Sequence, residues 1–173
     1  MSEALAASRL DRAWRVLDDV LDPEVPVVSV RDLGIVRDVV DDGDGALTVV
    51  VTPTYSGCPA TEVIARSIVE ALEAEGFAPV RVVLRRAPAW TTDWMSEAGR
   101  RKLRDYGIAP PGPVPASHSA PLRFVPRRPV VALACPRCES ADTERLAAFG
   151  ATACKALWRC RACGEPFEHF KPI

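Results

Sequence analysis

Two pairs of cysteines near the C-terminus constrain the fold more than any other feature of this sequence. Cys135 and Cys138 form one C-x-x-C pair, Cys160 and Cys163 form a second, and 21 residues lie between the inner two. Such pairs are typical of a tetrahedral site in which four thiolates hold one metal ion. Because a segment of about 40 residues has too small a core to be stable alone, metal binding would drive its folding. We therefore predict a zinc-ribbon-like module with four cysteine ligands over residues 130–173.

The identity of the metal stays open between two ions. Four thiolates suit a structural Zn²⁺, and iron is the competitor because tetrahedral sulfur sites accept either metal. A catalytic zinc is disfavoured, since four protein ligands leave no open position for water. Cys154 and His169 lie in the same module. We expect Cys154 to be a small packed residue, with a role as a reactive thiol or a substitute ligand as the alternative. We expect His169 to be a surface or aromatic-cluster residue, with a position near the metal as the alternative.

The first half of the chain has the pattern of a small α+β domain. Apolar residues recur at helical spacing over 8–21, and β-branched runs at 35–40, 47–51 and 80–84 predict three strands. A second helical pattern opens at Pro59 and should end at Gly76, because glycine is the common residue after a helix C-terminus. The predicted order is α-β-β-α-β, with a three-stranded mixed sheet and helices on one face.

Composition divides the chain into three predicted segments. Residues 1–88 form the α+β domain, residues 89–129 hold a short helix and a proline-rich linker, and residues 130–173 form the four-cysteine module. Residues 1–84 contain 7 Lys and Arg against 15 Asp and Glu, whereas residues 85–129 contain 9 against 3. An acidic domain before a basic connector suits docking to a protein. Nucleic acid is disfavoured as a partner, since its binders usually have a basic domain with interleaved aromatic residues.

The stretch from Thr52 to Ala60 places a cysteine where its chemistry could be changed. A strand, a glycine turn and a helix start follow one another, which would leave Cys58 at or beside the helix N-cap with Pro59 at the first helical position. The positive end of the helix dipole favours a thiolate there, so the pKa of Cys58 could fall below about 8.5. The alternative is a small buried cysteine that caps a core helix.

The loop Asp22-Pro23-Glu24 carries two carboxylates on a rigid backbone. Asp22 is expected to be a helix-end or turn residue, and a role as a hydrogen-bond partner near Cys58 is the alternative. No apolar run approaches the roughly 18 residues that span a membrane, and the N-terminus has no signal-peptide pattern. We therefore expect a cytoplasmic protein, in which six cysteines indicate metal ligands or reactive thiols rather than disulfides.

Three motifs resemble a known family of assembly factors. Asp22-Pro23-Glu24, Asp32-Leu33-Gly34-Ile35-Val36 and the stretch 52–59 resemble the domain of iron–sulfur assembly factors of the SufT and cytosolic CIA-targeting type. The stretch from Trp90 to Pro111 and the four metal-site cysteines resemble the PaaD family, the D (or J) component of bacterial phenylacetyl-CoA epoxidase systems. The resemblance covers nearly the whole chain. It implies an accessory or maturation factor in aerobic phenylacetate breakdown.

The resemblance also implies site residues and partners. Cys58 matches the signature cysteine of the assembly-factor domain, and Asp22 and Glu24 match its acidic loop. The implied partners are the oxygenase and reductase subunits of the epoxidase, and the implied cargo is transient iron or an iron–sulfur cluster bound through Cys58. A homodimer that shares a site through Cys58 stays open.

Four functions are compatible with these residues to different degrees. The leading one is a non-enzymatic maturation factor, and the second is a structural, non-catalytic subunit of the oxygenase complex. A four-cysteine electron carrier would need iron, and a thiol enzyme would need a base near Cys58 that the sequence does not identify. The chain itself is not the oxygenase, because a di-iron bundle needs Glu-x-x-His pairs and neither His118 nor His169 has one.

Overall fold

The chain folds into two compact units in a computed structural model that describes residues 2–43, 45–55, 57, 60–113 and 133–173, with side chains from residue 9 onward. The units are Met1–Leu103 and Arg104–Ile173. The elements of the first unit are α1 (Ser2–Asp18), β1 (Val36–Gly43), β2 (Ala46–Val51), α2 (Ala60–Ala74), β3 (Val80–Leu84) and the start of α3 (Glu97–Tyr106).

The sheet of the first unit has the strand order β1-β2-β3. β1 and β2 run antiparallel as a hairpin, whereas β2 and β3 run parallel because α2 crosses between them. Along β2, Leu47, Val49 and Val51 are almost fully buried. These side chains share one face of the strand, since side chains alternate between the two faces. The predicted α+β class with a three-stranded mixed sheet is therefore confirmed.

The two long helices end for identifiable reasons. Gly76 takes a φ of 84°, the Gly76 N–H donates to Glu73 and the Phe77 N–H donates to Leu72, which is the hydrogen-bond pattern of a glycine-terminated helix. The predicted stop of α2 at Gly76 is confirmed. α1 begins at Ser2 and ends at Asp18, earlier than the predicted end at residue 21, because Leu21 leaves the helix to form a bridge with Ser29.

The stretch after β3 packs into the first unit through tryptophans. The indole Nε1–H of Trp90, which is buried, donates to the carbonyl of Leu33 at 3.0 Å. Gly34 has a φ of 67°, and a Cβ there would clash with the Trp94 carbonyl oxygen, so only glycine fits under this tryptophan. Ser96 caps the N-terminus of α3, because its hydroxyl accepts the Gly99 N–H at 2.8 Å.

The second unit contains β4 (Ile108–Ala109), β5 (Thr143–Ala147), β6 (Lys155–Cys160) and β7 (Pro166–Phe170). These strands form one sheet in the order β4-β7-β6-β5. β5, β6 and β7 form an antiparallel meander, and the two-residue β4 adds to β7 in parallel. A buried cluster of aromatic, alanine and cysteine side chains holds one face together. The cluster consists of Ala109, Cys135, Ala156, Trp158, Cys160 and Phe167.

Sequence patterns did not indicate β4, because two residues are too few to show an alternation. Most of the predicted proline-rich linker, residues 114–132, lies outside the described residues. The division into segments 1–88, 89–129 and 130–173 stays a prediction.

Candidate functional site

The two C-x-x-C pairs of the second unit form turns of the same kind. In the first turn the Glu139 N–H donates to the Cys135 carbonyl at 2.9 Å, and in the second the Gly164 N–H donates to the Cys160 carbonyl at 3.0 Å. The residue after the second cysteine of each pair has a positive φ, 61° at Glu139 and 79° at Gly164. Each turn thus begins with a buried cysteine and ends with an exposed one.

The four thiols converge on one point. All four sulfur atoms lie within 4.8 Å of one another, and the closest pairs are Cys138 with Cys160 at 3.5 Å and Cys135 with Cys163 at 3.9 Å. In a tetrahedron, sulfur atoms about 2.3 Å from a central Zn²⁺ lie about 3.8 Å apart. A disulfide would need about 2.05 Å. The spacing therefore fits a metal ion held by the four predicted cysteines.

The ionisation of these thiols supports a cation at their centre. The backbone N–H of Cys163 lowers the pKa of Cys160 to about 7, against the opposing effect of burial. At Cys138 the Ser140 backbone N–H also lowers the pKa, but the neighbouring thiols of Cys163 and Cys160 outweigh it and raise the pKa to about 12. One thiolate therefore forms readily while the next resists, because negative charges would crowd together. A bound dication removes that repulsion.

The other two candidates of this unit lie apart from the thiol cluster. The group of described residues that could hold a metal contains the four cysteines alone. Cys154 is buried, and its sulfur lies 3.0 Å from the hydroxyl oxygen of Thr152. His169 is buried with its ring edge-on to Trp158 at 6.1 Å, and burial lowers its pKa to about 4. Both residues thus take packed positions.

The stretch around Cys58 is only partly described. Cys58, Pro59 and Ser56 lie outside the described residues, so the placement of the Cys58 thiol at a helix N-cap stays a prediction. α2 begins at Ala60, and Glu62 lies in its first turn. On the strand side, Thr52 is buried and its N–H donates to the Ile35 carbonyl at 2.8 Å. Its hydroxyl oxygen has no hydrogen-bond partner among the residues that the structure describes.

The acidic loop has a clear local structure. One carboxylate oxygen of the buried Asp22 accepts the N–H of Glu24 at 2.9 Å and that of Val25 at 2.8 Å, which is a turn closed by a side chain. The Asp22 N–H donates to the Val28 carbonyl at 2.9 Å, so the loop is closed at its base. Asp22 therefore takes the predicted turn position, and the half-buried Glu24 is held beside it. Their relation to Cys58 stays a prediction.

Sequence patterns missed a buried network around Asp32. Asp32 lies in the Asp-Leu-Gly stretch, for which the sequence indicates only a turn, yet its carboxylate receives the Lys102 ammonium at 2.6 Å and the Ser96 hydroxyl at 2.9 Å. Burial opposes ionisation, but Lys102, Ser29 and Ser96 outweigh it and hold the pKa of Asp32 below its usual value. The signal available in the sequence was the position of Asp32 among the apolar residues between Val28 and Val36, where a carboxylate needs a hydrogen-bonding partner.

Among the described residues, no helix combines the length and the apolar character needed to cross a membrane.

Comparisons with known proteins agree with both units. Residues 10–82 match the family model of iron-sulfur cluster assembly proteins, and residues 122–171 match that of the PaaD zinc beta ribbon domain. The crystal structure of a domain of unknown function, DUF59, from Bacillus anthracis is similar with a TM-score of 0.54 and 25% identity. The match covers 58% of this chain and 96% of that chain.

Two curated relatives extend the similarity. An Fe-S protein maturation auxiliary factor of Porphyromonas gingivalis (strain ATCC BAA-308 / W83) is 38% identical over 90 residues, which are 51% of this chain and 85% of the relative. A protein of Escherichia coli (strain K12), named as a candidate D component of 1,2-phenylacetyl-CoA epoxidase, is 47% identical over 169 residues. That match covers 98% of this chain and 96% of the relative.

An assembly-factor domain followed by a four-cysteine ribbon defines a two-module protein of the iron–sulfur assembly class. Since one relative matches along almost its whole length, the chain belongs to the PaaD family.

Proposed function

We propose that this protein is an accessory factor that assists the assembly of iron or an iron–sulfur cluster on the oxygenase or the reductase of a phenylacetyl-CoA epoxidase system. The observation that carries the proposal is the match to the E. coli protein along 98% of this chain, with both modules included. The similarity of residues 10–82 to assembly proteins, and the similarity to a maturation factor, support the same activity.

In this proposal Cys58 is the transient thiolate ligand of the cargo. The position of Cys58 two residues before the start of α2 supports this assignment, because the free N–H groups and the dipole at a helix N-terminus favour a thiolate. Asp22 fixes the acidic loop, and Glu24 is the carboxylate that the loop presents. The protein would then hold iron through a soft thiolate without a catalytic role of its own.

The second module has a structural part in the proposal. Cys135, Cys138, Cys160 and Cys163 would hold a Zn²⁺ that supplies the folding energy of the ribbon and performs no chemistry, since four thiolates saturate it. The ribbon would dock the client protein while the first unit delivers the metal.

The test replaces Cys58 in cells that assemble the whole epoxidase. With Cys58→Ala as the source of this protein, we expect oxygenase or reductase to be produced in normal amount but to lack iron or acid-labile sulfide after purification without oxygen. Cys154→Ala removes a buried thiol from the second unit and is the matched control, with full metal content expected. Fully loaded clients in the presence of Cys58→Ala would reject the role of Cys58.

A second measurement separates folding from cargo binding. Zinc, iron, sulfide and the visible spectrum are measured on the isolated wild-type and Cys58→Ala proteins. We expect one zinc per chain in both, and iron in the wild type alone. Colourless zinc proteins in both cases would remove the support for an iron-binding Cys58, whereas iron without zinc in both would assign the iron to the ribbon.

The alternative function is that of a structural component of the oxygenase, which the name of the E. coli relative supports because it describes that protein as part of the epoxidase. A structural component stays in the complex at one copy per oxygenase unit, whereas a maturation factor leaves after delivery. The two functions can be distinguished by purifying the oxygenase through an affinity tag and measuring how many copies of this protein remain bound per oxygenase unit. Stoichiometric co-purification that Cys58→Ala does not change would favour the structural role.

A further inference from the structure

Among the described residues, β3 forms an outer edge of the first unit's sheet, and it keeps apolar side chains in contact with solvent. It pairs with β2 on one side, in an unbroken register from Val80 to Leu84. Val83 is 47% exposed and Leu84 is 46% exposed. An edge strand with exposed apolar side chains is a template for pairing with another extended chain.

The backbone groups that such a chain would use can be identified. The Leu47 N–H donates to the Pro79 carbonyl, and the Arg85 N–H donates to the Val51 carbonyl. In a parallel pair, alternate residues bond to the neighbouring strand, so odd-numbered residues of this segment face β2. The N–H and C=O groups of Val82 and Leu84 therefore point away from β2, along the outer edge.

Arginines flank this edge. Arg81 and Arg85 bracket the apolar residues Val82, Val83 and Leu84 of β3, Arg86 follows, and the three arginines are exposed. None of them forms an ion pair with a carboxylate among the described residues. They stand out because residues 1–88 contain 15 Asp and Glu against 9 Lys and Arg, these three included. The edge is thus a positive, apolar strip on an acidic domain.

The opposite edge of the same sheet, β1, differs from β3 in the regularity of its register and in the sign and pairing of its charges. β1 has register irregularities between Val36 and Asp38 and between Asp41 and Gly43. Its charges are largely acidic, and Asp41 forms an ion pair with Arg9 at 3.1 Å. Bulges and satisfied charges protect an edge from pairing. The β3 edge has a regular register and arginines without carboxylate partners in the described part of the chain.

We propose that the β3 edge binds an extended segment of a partner protein, which adds to the sheet as a fourth strand. The segment has an acidic residue at each end of three largely apolar residues, because that pattern faces Arg81, Arg85 and the strip between them. Backbone hydrogen bonds to Val82 and Leu84 supply the register, and the carboxylates select the segment by charge. This surface goes beyond the proposed function, since it depends on the sheet edge and not on the cysteines.

A second copy of the chain fits this edge less well. A two-fold pairing of β3 with itself about Val83 would place Arg81 of one copy opposite Arg85 of the other, and like charges opposite each other are destabilising. The acidic segment of a different protein meets no such repulsion.

The test measures binding of a fluorescent, end-blocked peptide with the core Glu-Val-Thr-Ile-Glu to the full-length protein at low salt. Two control peptides replace both Glu with Lys, or carry methyl groups on alternate backbone amides. One protein variant combines Arg81→Glu with Arg85→Glu. The other is Leu84→Pro, which removes the outward-pointing N–H of residue 84 and leaves the hydrogen bonds between β3 and β2 in place. Arg66→Glu with Arg101→Glu changes the net charge equally at exposed positions elsewhere in the first unit.

We expect the acidic peptide to bind, and the paired Arg81 and Arg85 changes to weaken it about tenfold or more, since two charge pairs become repulsive. Leu84→Pro and the methylated peptide should also lose binding, while the Arg66 and Arg101 control binds as the wild type does.

Three outcomes would overturn the proposal. If the acidic peptide fails to bind the wild type, the arginines serve only to prevent the β3 edges of two copies from pairing. If the methylated peptide binds equally, the contact is electrostatic and forms no strand. If the wild type is a dimer by sedimentation and Leu84→Pro makes it monomeric, a second copy occupies the edge. None of these results bears on Cys58, so failure here is distinguishable from failure of the proposed function.

Discussion

The ammonium of Lys102 lies 2.6 Å from a carboxylate oxygen of Asp32, although 70 positions separate the two residues. The other carboxylate oxygen accepts the Ser96 hydroxyl, and the Asp32 carbonyl accepts the Ser96 N–H at 2.8 Å. Gly99 lies against the same residue, where a Cβ would approach the Asp32 carbonyl oxygen to 2.9 Å. Asp32 thereby fastens the start of α3 to the turn before β1.

Replacement of Asp32 by Ala should lower the free energy of unfolding of the first unit by about 2 kcal/mol, because the Ser29 N–H and the Ser96 hydroxyl lose their acceptor. Lys102→Met should cost under about 1 kcal/mol, since the Lys102 side chain is 46% exposed. Arg101→Met, at the exposed residue next to Lys102, is the control, and it should leave the free energy of unfolding unchanged. Urea unfolding measures all three. Equal stability of Asp32→Ala and the wild type would show that the network contributes nothing.

The two metal-site turns offer a matched pair of backbone substitutions. Glu139 has a φ of 61°, where glycine is favoured, so Glu139→Gly should stabilise the turn by about 1 kcal/mol. Gly164 has a φ of 79° and open space where a Cβ would lie, so Gly164→Ala should destabilise its turn by about 1 kcal/mol through backbone strain alone. Competition for zinc with a chelator measures both. A weaker site in Glu139→Gly would indicate that the Glu139 carboxylate itself contributes.

A buried ion pair in the second unit also gives a large expected loss of stability. The Lys155 side chain is 4% exposed, and its ammonium lies 2.7 Å from Glu168. Glu168→Gln leaves the ammonium buried without a counter-charge and should cost about 3 kcal/mol. Lys155→Met with Glu168→Leu removes both charges and should recover most of that loss. Unfolding in excess zinc, followed by the Trp158 indole resonance, compares them. A double variant as unstable as Glu168→Gln would show that packing dominates.

Sequence patterns predicted the features for which a particular residue type is required, such as cysteine at a thiolate metal site and glycine at a positive φ. The four cysteines could be assigned to one site because C-x-x-C spacing brings thiols together, and their sulfur atoms do lie within 4.8 Å of each other. Gly76 could be assigned as the end of α2 because few other residues accept its φ of 84°. The order of helices and strands in the first unit followed from the period of the apolar residues.

Contacts between residues far apart in the chain were beyond prediction from those patterns. Asp32 and Lys102 meet only because the chain after β3 returns to the turn before β1, and the local sequence of neither stretch identifies the other as its partner. The same holds for Lys155, a charged residue at a strand position whose burial depends on Glu168 of the neighbouring strand. Local periodicity carries no information about such pairings.

His169 should titrate far below an ordinary histidine. Burial, assisted by the nearby Lys171 charge, lowers its pKa to about 4, whereas the unfolded chain takes up the proton near pH 6.5. Unfolding therefore takes up a proton between these values, and the free energy of unfolding falls as the pH is lowered from about 6.5 to about 4. A proton NMR titration of the His118→Gln protein, in which His169 is the sole histidine, measures the pKa directly. A midpoint near 6.5 would contradict the buried position.

The thiol cluster predicts one zinc per chain and a second unit that depends on it. Cys163→Ser leaves three thiolates and a poorer ligand at an exposed position, so zinc affinity should fall by about a hundredfold or more while the first unit stays folded. Cys154→Ser is the control, since its sulfur lies outside the cluster and full zinc content is expected. Metal analysis after dialysis against a chelator gives the content, and the Trp158 indole resonance reports whether the ribbon is folded.

The same cluster determines what the second unit does without metal. Without metal the cysteines no longer hold the two C-x-x-C turns together, and the core of so small a unit is not stable alone. Chelation should therefore unfold the second unit of the wild type. A ribbon that keeps its Trp158 signal after the metal is removed would show that the apolar cluster suffices to hold the fold.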